Sequence, residues 1–329
     1  MLTYGVMEVS IMENLTFYEL VQLWRRICLD RKSIEVRTKE EYLKILDNRV
    51  LPVFGKTFIN DINAMMLDNY VGDLIDKGYA AKTIKNTMSI VGEIFKFAYR
   101  KDIIAFNPMD KMEKLPQVSR SGALHYFTPR EARMFLAEVN KEELEYRTIF
   151  YLLLFSGCRR GELCALRWAD VDFDKRTICI NHAVSYTSKG LVIKSPKTVS
   201  GNRTISLPIE CMELLRKLCI SSELGSEFVF VDKLSRNSFI PPQRITDRFR
   251  IIVDRHNANC QSGDELPSIR LHDLRHTAAT LLISKNVDVE TVARRLGHAN
   301  PSITLNVYAH PTMDGDYGAS RVMEEVLAL

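Results

Sequence analysis

Four short segments of the chain carry polar side chains whose types and spacing are suited to chemistry on an anion. They read FSGCRRGELCALRW (155–168), KSPKTVSGNRTISLP (194–208), SIRLHDLRHTAATLLISKNV (268–287) and LGHANPSITLNVYAH (296–310). In the first, Arg159 follows a Gly turn and precedes a new helical run, although helix dipoles disfavour cations at N-termini. Because helix N-termini bind phosphates, this placement indicates an anion site. The alternative is a surface pair of Arg159 with Glu162, worth about 0.3 kcal/mol.

The second segment is a basic turn between two predicted strands. Lys194, Lys197 and Arg203 flank its Gly-Asn sequence. A solvated basic turn is the simpler interpretation. The functional interpretation is a lysine on a flexible arm that reaches into a groove.

The third segment places His272, Arg275 and His276 on one face of a predicted helix. Such a polar face is costly unless it is solvated or used. H-D-L-R-H also resembles the zinc-binding sequence H-E-x-x-H. Three points count against a zinc hydrolase: Asp273 is one methylene shorter than Glu, Arg275 would set a cation beside the metal, and zinc needs a third ligand. We therefore predict no metal site.

The fourth segment contains His298 and Tyr308. Taken singly, a helix-capping His and a half-buried core Tyr are the simpler interpretations. One continuous helix would hold the two residues ~15 Å apart. Asn300-Pro301 interrupts that helix, however, because the residue before Pro disfavours helix and Pro suits a new first turn. The chain therefore bends there, and both side chains can face one cleft.

The elements that position these residues fall into two regions. Residues 14–115 predict a bundle of about four helices, starting near Leu15, Thr38, Asn63 and Thr83. Pro52 and Gly55 are predicted to end the second helix, Gly78 the third, and the fourth ends before Asn107. Residues 116–126 predict an exposed linker.

In the second region the spacing of hydrophobic residues changes from helical to strand-like and back to helical. Thr128, Pro129 and Glu131 predict the capped start of a helix. The runs TICINHAV, LVIKSP and RTISLP, within 176–207, predict a three-stranded antiparallel sheet. Helices return from Glu210 onward. The predicted fold class is mainly α with a small antiparallel β-sheet.

Composition excludes several classes of protein. The chain has 329 residues, 46% of them hydrophobic and 26% charged, which is typical of soluble globular proteins. It has neither an apolar run near the ~18 residues of a membrane span nor a signal peptide. Its seven scattered cysteines include no C-x-x-C and indicate reduced thiols and a cytoplasmic location. A net charge of +4 permits nucleic-acid binding without arguing for it.

Taken in order, the motifs of the four segments resemble those of the tyrosine recombinases, which include phage integrases, integrases of conjugative transposons and Xer-type recombinases. The motifs are Arg159 in S-G-C-R-R-G-E, Lys197 on a hairpin, His272-x-x-Arg275, L-G-His298 and Tyr308. The resemblance implies a helical core-DNA-binding domain at 14–115 and a mixed α+β catalytic domain at 127–312. Residues 1–13 would be an N-terminal extension. Residues 313–329 would form a tail helix that packs on a neighbouring subunit or on its own domain.

The resemblance also implies a role for each residue. Tyr308 would attack a DNA phosphodiester to give a 3′-phosphotyrosyl link and a free 5′-hydroxyl. Arg159 and Arg275 would clamp the phosphate oxygens, and Lys197 would protonate the leaving oxygen. His272 would assist proton transfer and His298 would bond the phosphate. No metal or cofactor is implied, and phosphoryl transfer of this kind needs mainly positioning and charge stabilisation.

The implied partners are double-stranded DNA recombination sites and three further copies of the chain, which would assemble as a tetramer on two duplexes. An excisionase or a DNA-bending protein is a further candidate. Residues expected to contact DNA are Lys82, Thr83, Lys85, Asn86 and Arg203. A type IB topoisomerase and a non-catalytic DNA-binding protein of the same fold are the alternatives.

Two features depart from the family pattern. The spacing from His298 to Tyr308 is one residue longer than in many members, which the Asn300-Pro301 turn can accommodate. Few residues precede the core-binding pattern, so the chain is either a minimal recombinase or one that lacks an arm-binding domain.

Overall fold

The computed structural model describes most of the chain: 15–30, 36–117, 125–187, 190–194, 201–222, 225–232, 239–298, and positions 300, 302 and 304. The chain divides into two compact units, with the boundary in sequence between Ser121 and Gly122, and residues 187–189 are not counted in the second. The predicted extension 1–13, the tail 313–329 and most of the linker (118–124) lie outside the described residues.

The first unit is built from helices. They are α1 (Phe17–Trp24), α2 (Val36–Ile45), α3 (Leu51–Phe54), α4 (Ala64–Asp76) and α5 (Ala81–Arg100), with π-helical turns at Arg25–Leu29 and Leu46–Val50 and a 3-10 turn at Pro108–Lys111. Side chains cap the helix starts: Thr16 and Glu19 form a capping box on α1, and Asn63 accepts from the Met66 N–H at α4. These bonds satisfy backbone donors that a helix start leaves free.

The core of the first unit is apolar. Residues at helical spacing along α1 are buried, including Phe17, Leu20 and Trp24. Phe17 packs against Phe95 of α5 with the ring centroids 5.5 Å apart. Burial of one apolar face per helix is what the periodicity predicts.

Two predicted boundaries in this unit are wrong. Pro52 lies inside α3, in its first turn, and Gly55 alone follows the helix end. Pro is tolerated there because the N–H it lacks is not needed in a first turn, and the π-helical turn before it widens the helix. Helix α5 begins at Ala81, two residues before the predicted Thr83. Its end at Arg100, where the chain turns through Asp102 with φ of 55°, agrees with the prediction that it ends before Asn107.

The second unit combines helices with short strands. Its helices are α6 (Pro129–Val139), α7 (Leu144–Ser156), α8 (Arg160–Cys164), α9 (Ile209–Ser221), α10 (Pro242–Asn259), α11 (Asp273–Ile283) and α12 (Val289–Leu296). The predicted capped start at Thr128 is confirmed: Thr128 and Glu131 form a capping box, with Pro129 in the first turn. Helix α7 contacts α9 and α11 and lies at the centre of the unit.

The strands pair differently from the prediction. They are β1 (Val171–Asp172), β2 (Thr177–Ile180), β3 (Ala183–Thr187), β4 (Gly190–Lys194) and β5 (Arg203–Ser206). The order β1-β2-β5 forms a three-stranded antiparallel sheet, and β3 pairs with β4 in a separate two-stranded sheet. The run TICINHAV is therefore two strands, interrupted at Asn181 and His182. Asn181 donates to Asp170, a polar contact that takes the place of ladder pairing.

Phenylalanine rings form the centre of the second core. Phe135 packs against Phe127 and Phe249 with centroid distances of 5.5 Å, and against Phe150 at 5.8 Å. The predicted fold class, mainly α with a small antiparallel sheet, is confirmed. Within the described part of the chain, no helix has the length and apolarity needed to cross a membrane.

Candidate active site

Arg159 is positioned by the turn between α7 and α8. Helix α7 ends at Ser156, and Gly157, which follows it, has φ of 66°. A Cβ added at Gly157 would lie 2.6 Å from Leu296 Cδ2. One residue into α8, a Cβ on Gly161 would lie 2.5 Å from the Val184 carbonyl oxygen. Glycine is required at both positions, because of backbone conformation at the first and close approach of β3 at the second.

Glu162 holds Arg159 at the start of α8. The Arg159 backbone N–H donates to Oε2 of Glu162 and its Nη1 donates to Oε1, both at 2.8 Å. A longer contact of 3.4 Å joins Arg159 Nη2 to the Gly297 carbonyl oxygen. The Arg159 side chain is 43% exposed, whereas that of Glu162 is 8% exposed. The pair is therefore more than a surface contact, since its carboxylate is buried.

Arg275 is a buried cation with spare hydrogen-bonding capacity. It is 4% exposed, and its Nη1 donates to the Gly157 carbonyl at 2.8 Å. Its buried Nη2 has no hydrogen-bond partner in the described structure. Burial, followed by the nearby charge of Arg159, lowers the pKa of Arg275 to about 10. An anion at this point would relieve both effects.

The charges around Glu162 do not balance. Arg159 and Arg203 both pair with this carboxylate, and Arg275 also feels its charge. Three guanidinium groups against one carboxylate leave two positive charges uncompensated among these groups. Desolvated like charges favour a bound anion.

His272 and His276 lie at the start of α11. Their rings meet edge to face with centroids 5.4 Å apart. His272 is exposed, yet desolvation by its surroundings, then the charges of His276 and Arg275, lower its pKa to about 4. His272 is therefore neutral near pH 7 and can accept a proton. Asp273, the base that a zinc hydrolase would need, is buried and bonded to Arg270.

His298 follows directly on Gly297, where α12 ends in a left-handed turn. Its N–H donates to the Ala293 carbonyl at 3.0 Å, and its Nδ1 lies 2.7 Å from Thr304 Oγ1. Desolvation, then the charges of Arg275 and Arg159, lower the pKa of His298 to about 4. Since Thr304 engages Nδ1, Nε2 is the nitrogen available for a bound molecule.

A cavity of about 370 Å³ opens beside these groups. Its walls include Arg159, His272 and Arg275, together with Arg160 and Arg270. It is thus lined by cations and neutral imidazole, which suits a phosphate group.

The structure brings together four of the six candidate catalytic residues. After desolvation, the charges of Arg159 and Arg275 help to lower the pKa of both His272 and His298, so these four groups lie near one another. Lys197 and Tyr308 lie outside the described residues. In the first unit, Lys82, Thr83, Lys85 and Asn86 lie in the first two turns of α5. Thr83 and Asn86 line a cleft of about 350 Å³ with Lys44 and Arg49. DNA contact by these residues stays a prediction.

For Arg203 the predicted DNA contact is wrong. Its side chain is 4% exposed and is bonded to Glu162. The burial of Arg203 could have been predicted from the strand pattern. Side chains of a strand alternate between its two faces, so Arg203 shares a face with buried Ile205. Sequence reasoning also missed Thr304, since its contact with His298 depends on the turn between them.

Known proteins resemble this chain in both sequence and fold. Residues 125–314, more than half of the chain, match the model of the phage integrase family. The ICEBs1 integrase of Bacillus subtilis (strain 168) is 26% identical over 283 residues, covering 84% of this chain and 76% of the relative.

Solved structures agree in fold. The Tn1549 transposon integrase in complex with transposon right end DNA superposes with a TM-score of 0.78 and 25% identity, covering 96% of this chain and 100% of that one. A lambda integrase tetramer bound to a Holliday junction gives a TM-score of 0.63 at 18% identity, covering 93% of this chain and 82% of that one.

Proposed function

Because the chain belongs to the phage integrase family of tyrosine site-specific recombinases, we propose that it cleaves and rejoins DNA through a 3′-phosphotyrosyl intermediate, integrating or excising a mobile element. The observation that carries this proposal is the pair of cations Arg159 and Arg275 at one cavity, the second buried with a free Nη2. Such an arrangement is costly in the free protein and is repaid when a phosphate binds.

The two guanidinium groups would hold the scissile phosphate. A guanidinium stays charged and donates through two parallel N–H groups, which match two phosphate oxygens. Arg275 is fixed by the Gly157 carbonyl and Arg159 by Glu162, so their free donors are already oriented. Preorganised donors stabilise the charge that develops in the transition state without reorganisation at the moment of reaction. Nε2 of His298 would donate a further bond to the same phosphate.

Tyr308 would supply the nucleophile. Its phenolic oxygen forms a bond to phosphorus while the bond from phosphorus to the 5′-oxygen breaks. The phenolic proton passes to neutral His272, and Lys197 gives a proton to the leaving 5′-oxygen. The reverse sequence, with a 5′-hydroxyl from another strand, reseals the DNA. The covalent link conserves the phosphodiester, so the exchange needs no separate energy source.

The two units would have different roles. We assign DNA core-site binding to the first unit and the chemistry to the second. The DNA contacts of the first unit would be Lys82, Thr83, Lys85 and Asn86. Phosphate contacts would position the duplex and the groove-facing side chains would select the site. Since lambda integrase was solved as a tetramer on a Holliday junction, we propose four subunits acting on two duplexes. An excisionase or a DNA-bending protein is a further candidate partner.

Covalent trapping tests the proposal. The protein is incubated with nicked duplexes that carry candidate attachment sites, and adducts are resolved on a denaturing gel. Wild type should give a shifted band that Tyr308→Phe abolishes. Tyr317→Phe is the matched control, because it removes a neighbouring tyrosine of the same segment and should leave the band unchanged.

Comparison of substrates separates the alternatives. A recombinase should form the adduct on its own site and not on unrelated duplexes of equal length. Adducts of equal yield on every duplex, with relaxation of supercoiled DNA, would indicate a topoisomerase. Tight DNA binding with no adduct on any duplex would indicate a non-catalytic binding protein and would overturn the proposed chemistry.

A further inference from the structure

Arg203 is a second buried cation beside the candidate site, after Arg275. Its Nη1 and Nη2 donate to the two oxygens of Glu162 at 3.2 and 2.7 Å. Nη1 also donates to the Gly201 carbonyl at 3.2 Å, and Nε donates to the Arg295 carbonyl at 2.8 Å. Every nitrogen of the guanidinium is thus engaged by the protein. Four of its five N–H groups are bonded and the side chain is 4% exposed, so it has little to offer to DNA.

The acceptors of Arg203 belong to different parts of the site. Glu162 is the carboxylate that holds Arg159 at the start of α8. Arg295 lies in the last turn of α12, three positions before His298. Gly201 lies two residues before β5. One side chain therefore joins the supports of two candidate catalytic residues, Arg159 and His298.

A second arginine reinforces this connection. Arg295 Nη2 donates to the Phe155 carbonyl at the end of α7, at 2.8 Å, and to the Ser206 carbonyl of β5, at 3.0 Å. Arg295 therefore connects α12 to α7 and β5 through its side chain, and it also accepts the hydrogen bond from Arg203 through its carbonyl. Displacement of α12 would move His298 relative to Arg159, which also contacts the Gly297 carbonyl.

We infer that Arg203 is a positioning residue for strand cleavage: its hydrogen bonds to Glu162 and to the Arg295 carbonyl set the spacing between Arg159 and His298. This role rests on the proposed function of the site. Arg203 would act on the chemical step and not on DNA affinity. Lysine should not replace it, because one ammonium lacks the planar fork that reaches Glu162 and the Arg295 carbonyl together.

Two other roles give different results in the same assays. A DNA contact would change the dissociation constant and leave the rate at saturating DNA unchanged. A purely structural ion pair would change the melting temperature, and the protein that remains folded would react at the wild-type rate.

The test uses the full chain with Arg203→Lys and Arg203→Met. DNA affinity is measured by fluorescence anisotropy, folding by circular dichroism, and the single-turnover rate of adduct formation at saturating DNA. Arg250→Met is the matched control, since it removes one positive charge from the exposed surface of α10. The control should keep its rate within about twofold of wild type, because it lies outside the bonded network.

For Arg203→Lys we expect folded protein, a dissociation constant within about threefold of wild type and a rate reduced by about 10²-fold, the scale of small misplacements in active sites. A wild-type rate in Arg203→Lys would overturn the inference, as would weakened binding with an unchanged rate. If Arg203→Met does not fold, Arg203→Lys decides. Failure of Arg203→Lys itself to fold would also count against a positioning role. Absence of any adduct with wild type would instead refute the proposed function.

Discussion

The two units differ in what they bury. Among the described residues of the first unit, Thr87 is the one polar or charged side chain classed as buried. The second unit buries Glu138, Glu142, Glu162, Arg203, Asp273 and Arg275, along with several hydroxyl side chains. Buried charges contribute little net stability once desolvation is counted, whereas apolar packing contributes reliably. The first unit is thus organised for stability, and the second gives up part of its stability to hold an unbalanced cation cluster.

The largest expected effect is on catalysis. Arg275→Met should lower the rate of adduct formation by about 10³-fold or more, because it removes an oriented donor to the phosphate. The same change removes a buried like charge beside Arg159, so the free energy of unfolding should stay the same or rise. Single-turnover kinetics and thermal melting measure the two effects on one sample. A variant that is destabilised and still active would reverse our reading of the cluster.

In the first unit the expected effect is on stability. Phe95→Ala should lower the free energy of unfolding of this unit by about 3–5 kcal/mol, since Phe95 is fully buried against Phe17. Denaturant unfolding is followed in a Trp168→Phe background, where Trp24 is the remaining tryptophan and reports on the first unit. Met65→Ala is the control: Met65 is 68% exposed and should cost under about 0.5 kcal/mol. Equal losses in both variants would contradict an apolar core as the source of stability.

This contrast also explains what the sequence predicted. Helix positions in the first unit and the cap at Thr128 follow from local periodicity and hydrogen bonding, which nearby residues determine. The grouping of Arg159, His272, Arg275 and His298 was predicted from motif order and resemblance. The pairing of β2 with β5, and of Arg203 with Glu162, joins residues distant in sequence. Such partners depend on tertiary packing, so local pattern could not supply them. The alternation of β5 could have indicated that Arg203 lies on its buried face, but Arg203 was predicted to contact DNA.

Lowering the pH should reduce the stability of the second unit more than that of the first. All histidines of the chain follow residue 121, and His298 and His272 have pKa values lowered to about 4. Below pH 6.5 the unfolded chain takes up protons that the folded chain refuses until about pH 4, so the free energy of unfolding falls across this window. The share of His298 is at most about 3 kcal/mol.

Melting curves between pH 7 and 4.5 test this expectation. The lower limit avoids the separate loss from Glu162, whose pKa is held below 4.5 by Arg203 and Arg159 against burial, and whose contribution is lost on further acidification. His298→Gln should flatten part of the slope. The transition reported by Trp24 follows the first unit. If its stability depended on pH as steeply as that of the second unit, the histidines of the second unit would not be the cause of the pH dependence.

The smallest effects are expected from replacing one glycine by alanine in each unit. Gly161→Ala should destabilise the second unit by about 1–3 kcal/mol, because the new Cβ would meet the Val184 carbonyl oxygen at 2.5 Å. It should also slow cleavage, since Arg159 begins the same helix. Gly72→Ala lies in the interior of α4 with nothing within 4 Å of an added Cβ, and should stabilise by about 0.5–1 kcal/mol. If both substitutions shifted the melting temperature in the same direction, the close approach of Val184 to Gly161 in α8 would be refuted.

The central claim is that the cation cluster presents a DNA phosphate to Tyr308. Its most direct test is peptide mapping of the covalent complex by mass spectrometry after nuclease and trypsin digestion. Cleavage after Arg295 and Arg321 gives one peptide that contains both Tyr308 and Tyr317. Fragmentation should place the nucleotide on Tyr308. A nucleotide on Tyr317, or on any residue outside this peptide, would contradict the account.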